Sequence, residues 1–306
     1  MTAVAALDCG TNSTRLLVVD ESGRPLVREM RITRLGQGVD ATGSLRDDAM
    51  ERTLAVLGEY RQIMDGHGVT RGRLAATSAA RDAANGPAFL GAASRATGVD
   101  AEILSGEEEG RLSFDGATAD LDGSTDDTVV LDIGGGSTEL VERVDGAIEA
   151  FSMQLGCVRV TERALRGDPP TAQELGAARV MIDEAIEGAV ASLPNLAAPR
   201  AGRVVVGLAG TVSTLSMIDL GLAEYDEAAV HHHWLSLEAI RGWRDTFAAE
   251  SVEAHRSRPG MVPGREDVIL GGVCILAAVI ERLGVDGCLS SEHDILDGLA
   301  RSVLRP

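Results

Sequence analysis

Lysine is absent from this sequence: all 28 of its basic residues are arginine, set against 47 acidic residues for a net charge of −19. A Walker A loop ends in a lysine that reaches the nucleotide phosphates, so that class of nucleotide enzyme is excluded. The acidic balance disfavours general binding to nucleic acid or to an anionic membrane, because both require a basic surface. Any anionic ligand must therefore meet local positive groups. Cysteine is scarce and scattered: Cys9, Cys157, Cys274 and Cys288 form no C-x-x-C pair, which argues against a zinc site and a disulfide framework and for reduced thiols. Long apolar runs are missing too. The longest, 268–280, is broken by Gly271 and Gly272 and falls short of the ~20 residues of a membrane-spanning helix. The opening MTAVAALD has no basic segment followed by an apolar one, so no secretory signal is read and a cytoplasmic protein is expected.

What is present is enough apolar residue, 44% of 306, to bury a large core, and a length that suggests two domains at roughly 150 residues each. Between them the chain carries a repeat. Leu7 to Val18, LDCGTNSTRLLV, matches LDIGGGSTELVE at an offset of 124 residues, with identity at Leu7/Leu131, Asp8/Asp132, Gly10/Gly134, Ser13/Ser137, Thr14/Thr138 and Leu16/Leu140. In each copy an apolar strand (4–7; 129–131) ends in Asp, a turn of Gly, Ser, Thr or Asn follows, and a second β-type run (15–19; 138–144) comes next. The dinucleotide fingerprint needs G-x-G-x-x-G opening a helix, and this pattern has neither the spacing nor the helix.

Such a hairpin tip suits phosphate. Glycines let backbone N–H groups approach an anion, the hydroxyls of Ser13, Thr14, Ser137 and Thr138 donate hydrogen bonds, and Asp8 and Asp132 are carboxylates suited to a hydrated Mg²⁺. A third loop, GLAGT at 207–211, follows the strand-like Val204-Val205-Val206 and opens a helical pattern, so that free N–H groups at the helix start form a further anion site.

These loops together resemble the actin, heat-shock ATPase and sugar kinase superfamily, whose two related α/β domains close on phosphate between them. More closely, DCGTNSTRLLV, TSAARDAAN (77–85), EILSGEEEGRLSF (102–114), DIGGGSTEL and GLAGTVSTL occur here in the order typical of the exopolyphosphatase and guanosine pentaphosphate phosphatase family, and GREDVILGG (264–272) resembles a further segment of it. The resemblance runs along nearly the whole chain. It implies two actin-like (ribonuclease H-like) α/β domains with a cleft between them, and Mg²⁺-dependent hydrolysis of the terminal phosphoanhydride of polyphosphate, of pppGpp, or of both, without an organic cofactor.

The resemblance also assigns residues. Glu109 matches the family's catalytic base, whereas Ser105 and Glu108 read as a capping box and Glu107 as a first-turn acid that complements the helix dipole. Arg15 and Arg81 are the natural counter-charges, since a guanidinium binds two phosphate oxygens at once. Phosphate contacts are expected from Gly10, Thr11, Asn12, Ser13, Arg15, Arg81, Gly134, Gly135, Gly136, Ser137, Thr138, Gly210 and Thr211, and metal contacts from Asp8 and Asp132.

The expected division is 1–123 and 124–306, with a last helix from Asp294 to Leu304 packing back on the first domain. The chain stops at Pro306 and so resembles the short, two-domain family members. Its SSEHDILDGL departs from their usual C-terminal pattern, which leaves Asp294 without an assigned role. Short polyphosphate chains are the expected substrate, with pppGpp as the alternative and a homodimer as the expected state. An actin-fold kinase and a non-catalytic nucleotide sensor are the rivals. The runs 47–64 and 171–193 have helical spacing, Cys9 is expected to point into the core, and the triplet His231-His232-His233 cannot aim three rings at one metal from a regular element.

Overall fold

Ala3–Cys9 is apolar at nearly every position, as befits a strand covered on both faces, and all seven of its residues are buried. Ala3, Ala5, Leu7 and Cys9 feed one apolar cluster, while Val4 and Ala6 feed another on the opposite face. The structure, a computed structural model, describes residues 3–121, 125–197 and 199–305. It divides into two compact units, Met1–Ala119 with Asp294–Pro306, and Asp120–His293. The expected boundary at 123/124 falls outside the described residues.

The first unit runs β1 (Ala3–Cys9), β2 (Ser13–Asp20), β3 (Pro25–Ile32), α1 (Val39–Thr42), α2 (Asp47–Gly66), β4 (Val69–Ala76), α3 (Ser78–Asp82), α4 (Gly86–Thr97), β5 (Ala101–Ile103) and α5 (Gly106–Ala117). Its sheet has the order β3-β2-β1-β4-β5, with antiparallel pairing in the β1–β2–β3 meander and parallel pairing from β1 to β4 and β5. Leu57, Tyr60 and Met64 of α2 and Phe89 and Ala93 of α4 pack on one face. On the other face, Ile295, Leu296, Leu299 and Ala300 from the end of the chain join Leu112 of α5.

The second unit runs β6 (Thr128–Ile133), β7 (Thr138–Val144), β8 (Ala147–Met153), α6 (Cys157–Ala164), α7 (Ala172–Ser192), β9 (Val204–Leu208), α8 (Ala209–Asp219), α9 (Glu227–Val230), β10 (Trp234–Ser236), α10 (Leu237–Ala249), α11 (Val252–Arg256), α12 (Ile269–Leu283) and β11 (Gly287–Ser290). The chain then closes on α13 (Ile295–Leu304) in the first unit. Its sheet order, β8-β7-β6-β9-β11 with β10 at the edge, repeats that of the first unit strand for strand. The repeat extends to register: Leu7 pairs with Leu16 and Leu131 with Leu140. No helix among the described residues is long and apolar enough to cross a membrane.

In both sheets the parallel strands end at the same edge, β1, β4 and β5 in one and β6, β9 and β11 in the other. Ligands of open α/β sheets gather beyond the carboxyl ends of such strands, and each expected site segment begins there.

Candidate active site

In the first unit, β1 delivers Asp8 to the sheet edge and the turn Gly10–Asn12 leads into β2. The turn closes with the Gly10 N–H donating to the Ser13 carbonyl at 3.0 Å. Thr33 and Arg34 N–H groups donate to the Asn12 carbonyl at 3.1 and 2.9 Å, and Gly36 N–H to the Thr11 carbonyl at 2.9 Å. A trans peptide points its N–H opposite its carbonyl, so the N–H groups of Asn12 and Ser13 face away from that backing. The Thr11 hydroxyl is engaged by Ser78 at 2.8 Å, whereas Asn12 Nδ2 is buried with no protein partner.

Asp8 is almost wholly buried. Arg15, its ladder partner on β2, donates from Nε and Nη2 to Asp8 Oδ2 at 3.0 and 2.8 Å, and from Nη1 to Asp294 Oδ2. The Arg15 guanidinium expected on phosphate is therefore shared by two carboxylates. Burial pushes the Asp8 carboxyl above its ordinary range, against the opposing charge and hydrogen bonds of Arg15. Its Oδ1 is buried and has no hydrogen-bond partner.

β4 leads into Thr77 and the short helix α3, which places Arg81, and β5 leads through Leu104 into α5, which places Glu109. Arg81 Nη1 lies 3.2 Å from Glu109 Oε2 and donates to the Leu104 carbonyl at 2.9 Å. Of the three consecutive glutamates only Glu109 is buried. Ser105 caps the helix by accepting from the Glu108 N–H at 3.1 Å, but the reciprocal half of the expected capping box is missing. The Glu108 carboxylate pairs with Arg73 instead, and Glu107 pairs with Arg111 one turn on.

The second unit repeats the turn, Gly134 N–H donating to the Ser137 carbonyl at 3.0 Å. Here the backing is the start of α6: Cys157 N–H donates to the Gly134 carbonyl and Val158 N–H to that of Gly135, both at 3.0 Å, and Arg159 Nε to that of Gly136 at 2.9 Å. With three successive carbonyls turned toward α6, the N–H groups of Gly135, Gly136 and Ser137 turn away from it together, which is the geometry of an anion-binding nest. Gly156 makes this packing possible, since a Cβ there would collide with the Gly135 carbonyl and the Gly136 nitrogen. Asp132 occupies the position equivalent to Asp8, with Glu139 opposite it in the ladder, and Thr138 Oγ1 is buried without a protein partner.

In the third loop Ala209 takes a left-handed φ of 64°, a conformation costly for a residue with a Cβ, at the first turn of α8. Gly210 lies against the guanidinium of Arg265, so closely that a Cβ would overlap it. Thr211 is turned inward, packed on Gly272 of α12. Arg265 is not among the expected site residues, although its segment GREDVILGG carries part of the family resemblance. Its position over the start of α8 is the missing information.

The histidine triplet divides. Asp120 Oδ2 lies 2.7 Å from His231 Nε2 and 3.0 Å from His293 Nδ1, a spacing that metal sites share. The Glu292 N–H, however, donates to His231 Nδ1 at 3.1 Å, so the ring proton resides on Nε2, where Asp120 accepts it and no lone pair remains for a metal. His232 stacks on His231, and His233 turns to Asp219 at 2.9 Å.

Residues 17–303 match the sequence pattern of the Ppx/GppA phosphatase family. The chain belongs to that family. Exopolyphosphatase 2 of Mycobacterium tuberculosis (strain ATCC 25618 / H37Rv) is 41% identical to it over 99% of both chains. A solved exopolyphosphatase-like protein has a TM-score of 0.92 at 38% identity, covering 99% of each chain. The Ppx/GppA family member from Aquifex aeolicus has a TM-score of 0.80 at 31% identity, covering 99% of this chain and 98% of its own. As in other α/β proteins whose ligands gather at strand ends, the polar groups of this Ppx/GppA phosphatase collect at the carboxyl edges of its two sheets. Their donor set suits a hard cation: Asp8 and Asp132 offer carboxylate oxygens, and the buried, unpartnered Oδ1 of Asp8 is an acceptor awaiting a positive group.

Proposed function

We propose that the protein is an exopolyphosphatase that hydrolyses the terminal phosphoanhydride of inorganic polyphosphate, with short chains preferred. The observation that carries this reading is Glu109: a buried carboxylate at the carboxyl edge of the first sheet, held by Arg81 at 3.2 Å, beside two glutamates that pair with exposed or half-buried arginines. A general base must be oriented and shielded from bulk water, and Glu109 is the one of the three that meets both conditions.

In the proposed reaction Glu109 accepts a proton from a water whose oxygen bonds to the terminal phosphorus. The bridging P–O bond breaks, and the shortened chain leaves with the electron pair. Arg81 orients Glu109 and opposes charge on the transferred phosphoryl group, and the outward N–H groups of Asn12, Ser13, Gly135, Gly136 and Ser137 bind phosphate oxygens. Asp8 and Asp132 would hold Mg²⁺, which neutralises charge on the phosphate chain when bound. A cytoplasmic homodimer is part of the same reading.

A phosphate-release assay with short polyphosphate, pppGpp and ATP plus candidate acceptors tests it. Phosphate from polyphosphate is expected. Release from pppGpp alone would move the substrate to the nucleotide, acceptor-dependent ATP consumption would favour a kinase, and binding without turnover would favour a sensor.

A further inference from the structure

We infer that Asp294 is a positioning residue that tunes the charge of the Asp8 site: by drawing on Arg15, it leaves Asp8 able to hold a divalent cation beside a guanidinium. The inference rests on the metal role proposed above for Asp8.

Asp8 and Arg15 alone sum to zero charge, and a guanidinium directed wholly at Asp8 would oppose any cation there. Asp294 changes both terms. It brings the trio to a net charge of −1, and it holds Nη1 of Arg15 while Nε and Nη2 remain on Asp8 Oδ2. The Asp8 Oδ1 has no hydrogen-bond partner. The side chains of Arg15, Asp8 and Asp294 are only 18%, 5% and 8% exposed, so their charges are weakly screened by solvent.

The position of Asp294 is itself fixed by the fold. It is the N-cap of α13: its Oδ1 accepts from the Leu296 N–H at 2.9 Å, and its own N–H donates to Asp297 Oδ2 at 3.0 Å. Gly116 of α5 lies so close to the Asp294 carbonyl that a Cβ would collide with it. A second tie, Arg28 to Asp297 at 2.7 Å, joins β3 to the same helix start. The carboxylate that completes the trio thus comes from a residue 279 positions away in sequence from Arg15.

The test is Mn²⁺ binding, followed by the loss of free-ion electron paramagnetic resonance signal, on the full chain without substrate. Mn²⁺ favours the same oxygen donors as Mg²⁺. Asp294→Asn keeps an oxygen able to cap the helix while deleting the charge, and Asp294→Ser caps as well, which guards against a folding failure in either one. Asp297→Asn is the control at the same helix start. Removing one unit charge close to a divalent ion is expected to weaken Mn²⁺ binding about tenfold in both Asp294 variants, with an unfolding midpoint near the wild type's and with Asp297→Asn close to wild type. Unchanged affinity in the Asp294 variants would overturn the inference and leave the metal reading standing. Equal weakening in Asp297→Asn would overturn it in favour of helix integrity. A wild-type protein that binds no Mn²⁺ would bring down both.

Discussion

At the same ladder position, Asp8 faces Arg15 in the first unit and Asp132 faces Glu139 in the second. Around these pairs the two hairpins share strand order, register and the hydrogen bond that closes the turn. Their backings also differ: the coil at 33–36 receives the carbonyls of Thr11 and Asn12, whereas the start of helix α6 receives those of Gly134 and Gly135. What the duplication keeps is the backbone, because turning N–H groups toward one side depends on peptide geometry and not on side-chain identity. What it lets diverge is charge. In the first unit Arg15, Arg81 and Glu109 accompany Asp8, while the second offers mainly backbone donors and Arg265.

That contrast predicts the largest loss of turnover in the first unit. Glu109→Gln is expected to lower kcat by ~10²–10⁴-fold with polyphosphate binding nearly intact, measured as phosphate release against an equilibrium binding assay. A loss under about tenfold would return Glu109 to the company of Glu107 and Glu108 as helix-start charge.

The backing loops come next. A Cβ at Gly156 would strike backbone atoms of Gly135 and Gly136, which cannot rotate away, whereas one at Gly36 would strike chiefly the Thr11 side chain. Gly156→Ala should therefore shift the nest and cost about 10²-fold in kcat/KM, the scale of an ångström-sized misplacement, and Gly36→Ala clearly less. Equal effects would mean that the two turns are held with the same stiffness.

Asp8→Asn and Asp132→Asn should each raise the Mg²⁺ concentration for half-maximal activity, by about tenfold for the loss of one carboxylate charge. Asp8 also carries a stability signature. With its carboxyl held above the ordinary 3.8, the folded chain binds this proton more tightly than the unfolded chain does. Stability of the metal-free protein therefore falls as pH rises from that ordinary value through the raised one, which is a cost of keeping the carboxylate charged. Asp8→Asn removes it, so its metal-free unfolding midpoint at neutral pH should not fall below the wild type's. A clear drop would show that the pairing with Arg15 outweighs burial.

The smallest effect concerns chain length. A surface of net charge −19 gives a long polyanion few additional contacts, since such affinity comes from basic groups along its path. Partial digests of long polyphosphate on a gel should show a ladder of intermediates. Full-length substrate passing directly to phosphate would reveal a basic track.

The duplicated hairpins were legible in sequence because each is one strand, one turn and one strand, with its closing hydrogen bond three residues apart. The helices at Asp47–Gly66 and Ala172–Ser192, the latter capped by Thr171, match the expected runs for the same local reason. Cys9 is fully buried, its thiol pushed up by desolvation. Contacts between distant residues were not legible. Nothing local in EEE tells Glu108 to reach Arg73, nothing in PGRED lays Arg265 on Gly210, and nothing in HHH brings His231 to Asp120. Periodicity reports which face of an element is apolar, and it carries no address for the partner of a polar side chain.

The cluster that joins Val4, Ala6 and Leu17 to Ile295, Leu296 and Leu299 has a bearing on biosynthesis. Most chains acquire their N-terminal domain first as they leave the ribosome. Here β1 is translated long before α13, yet the face of its sheet on which α13 packs stays incomplete until that helix has emerged. The second unit, continuous from Asp120 to His293, has all its strands before then. A ribosome stalled ahead of residue 294 would hold a nascent chain with Arg15 lacking Asp294, so limited proteolysis of such stalled chains should find the later-made unit protected before the earlier-made one.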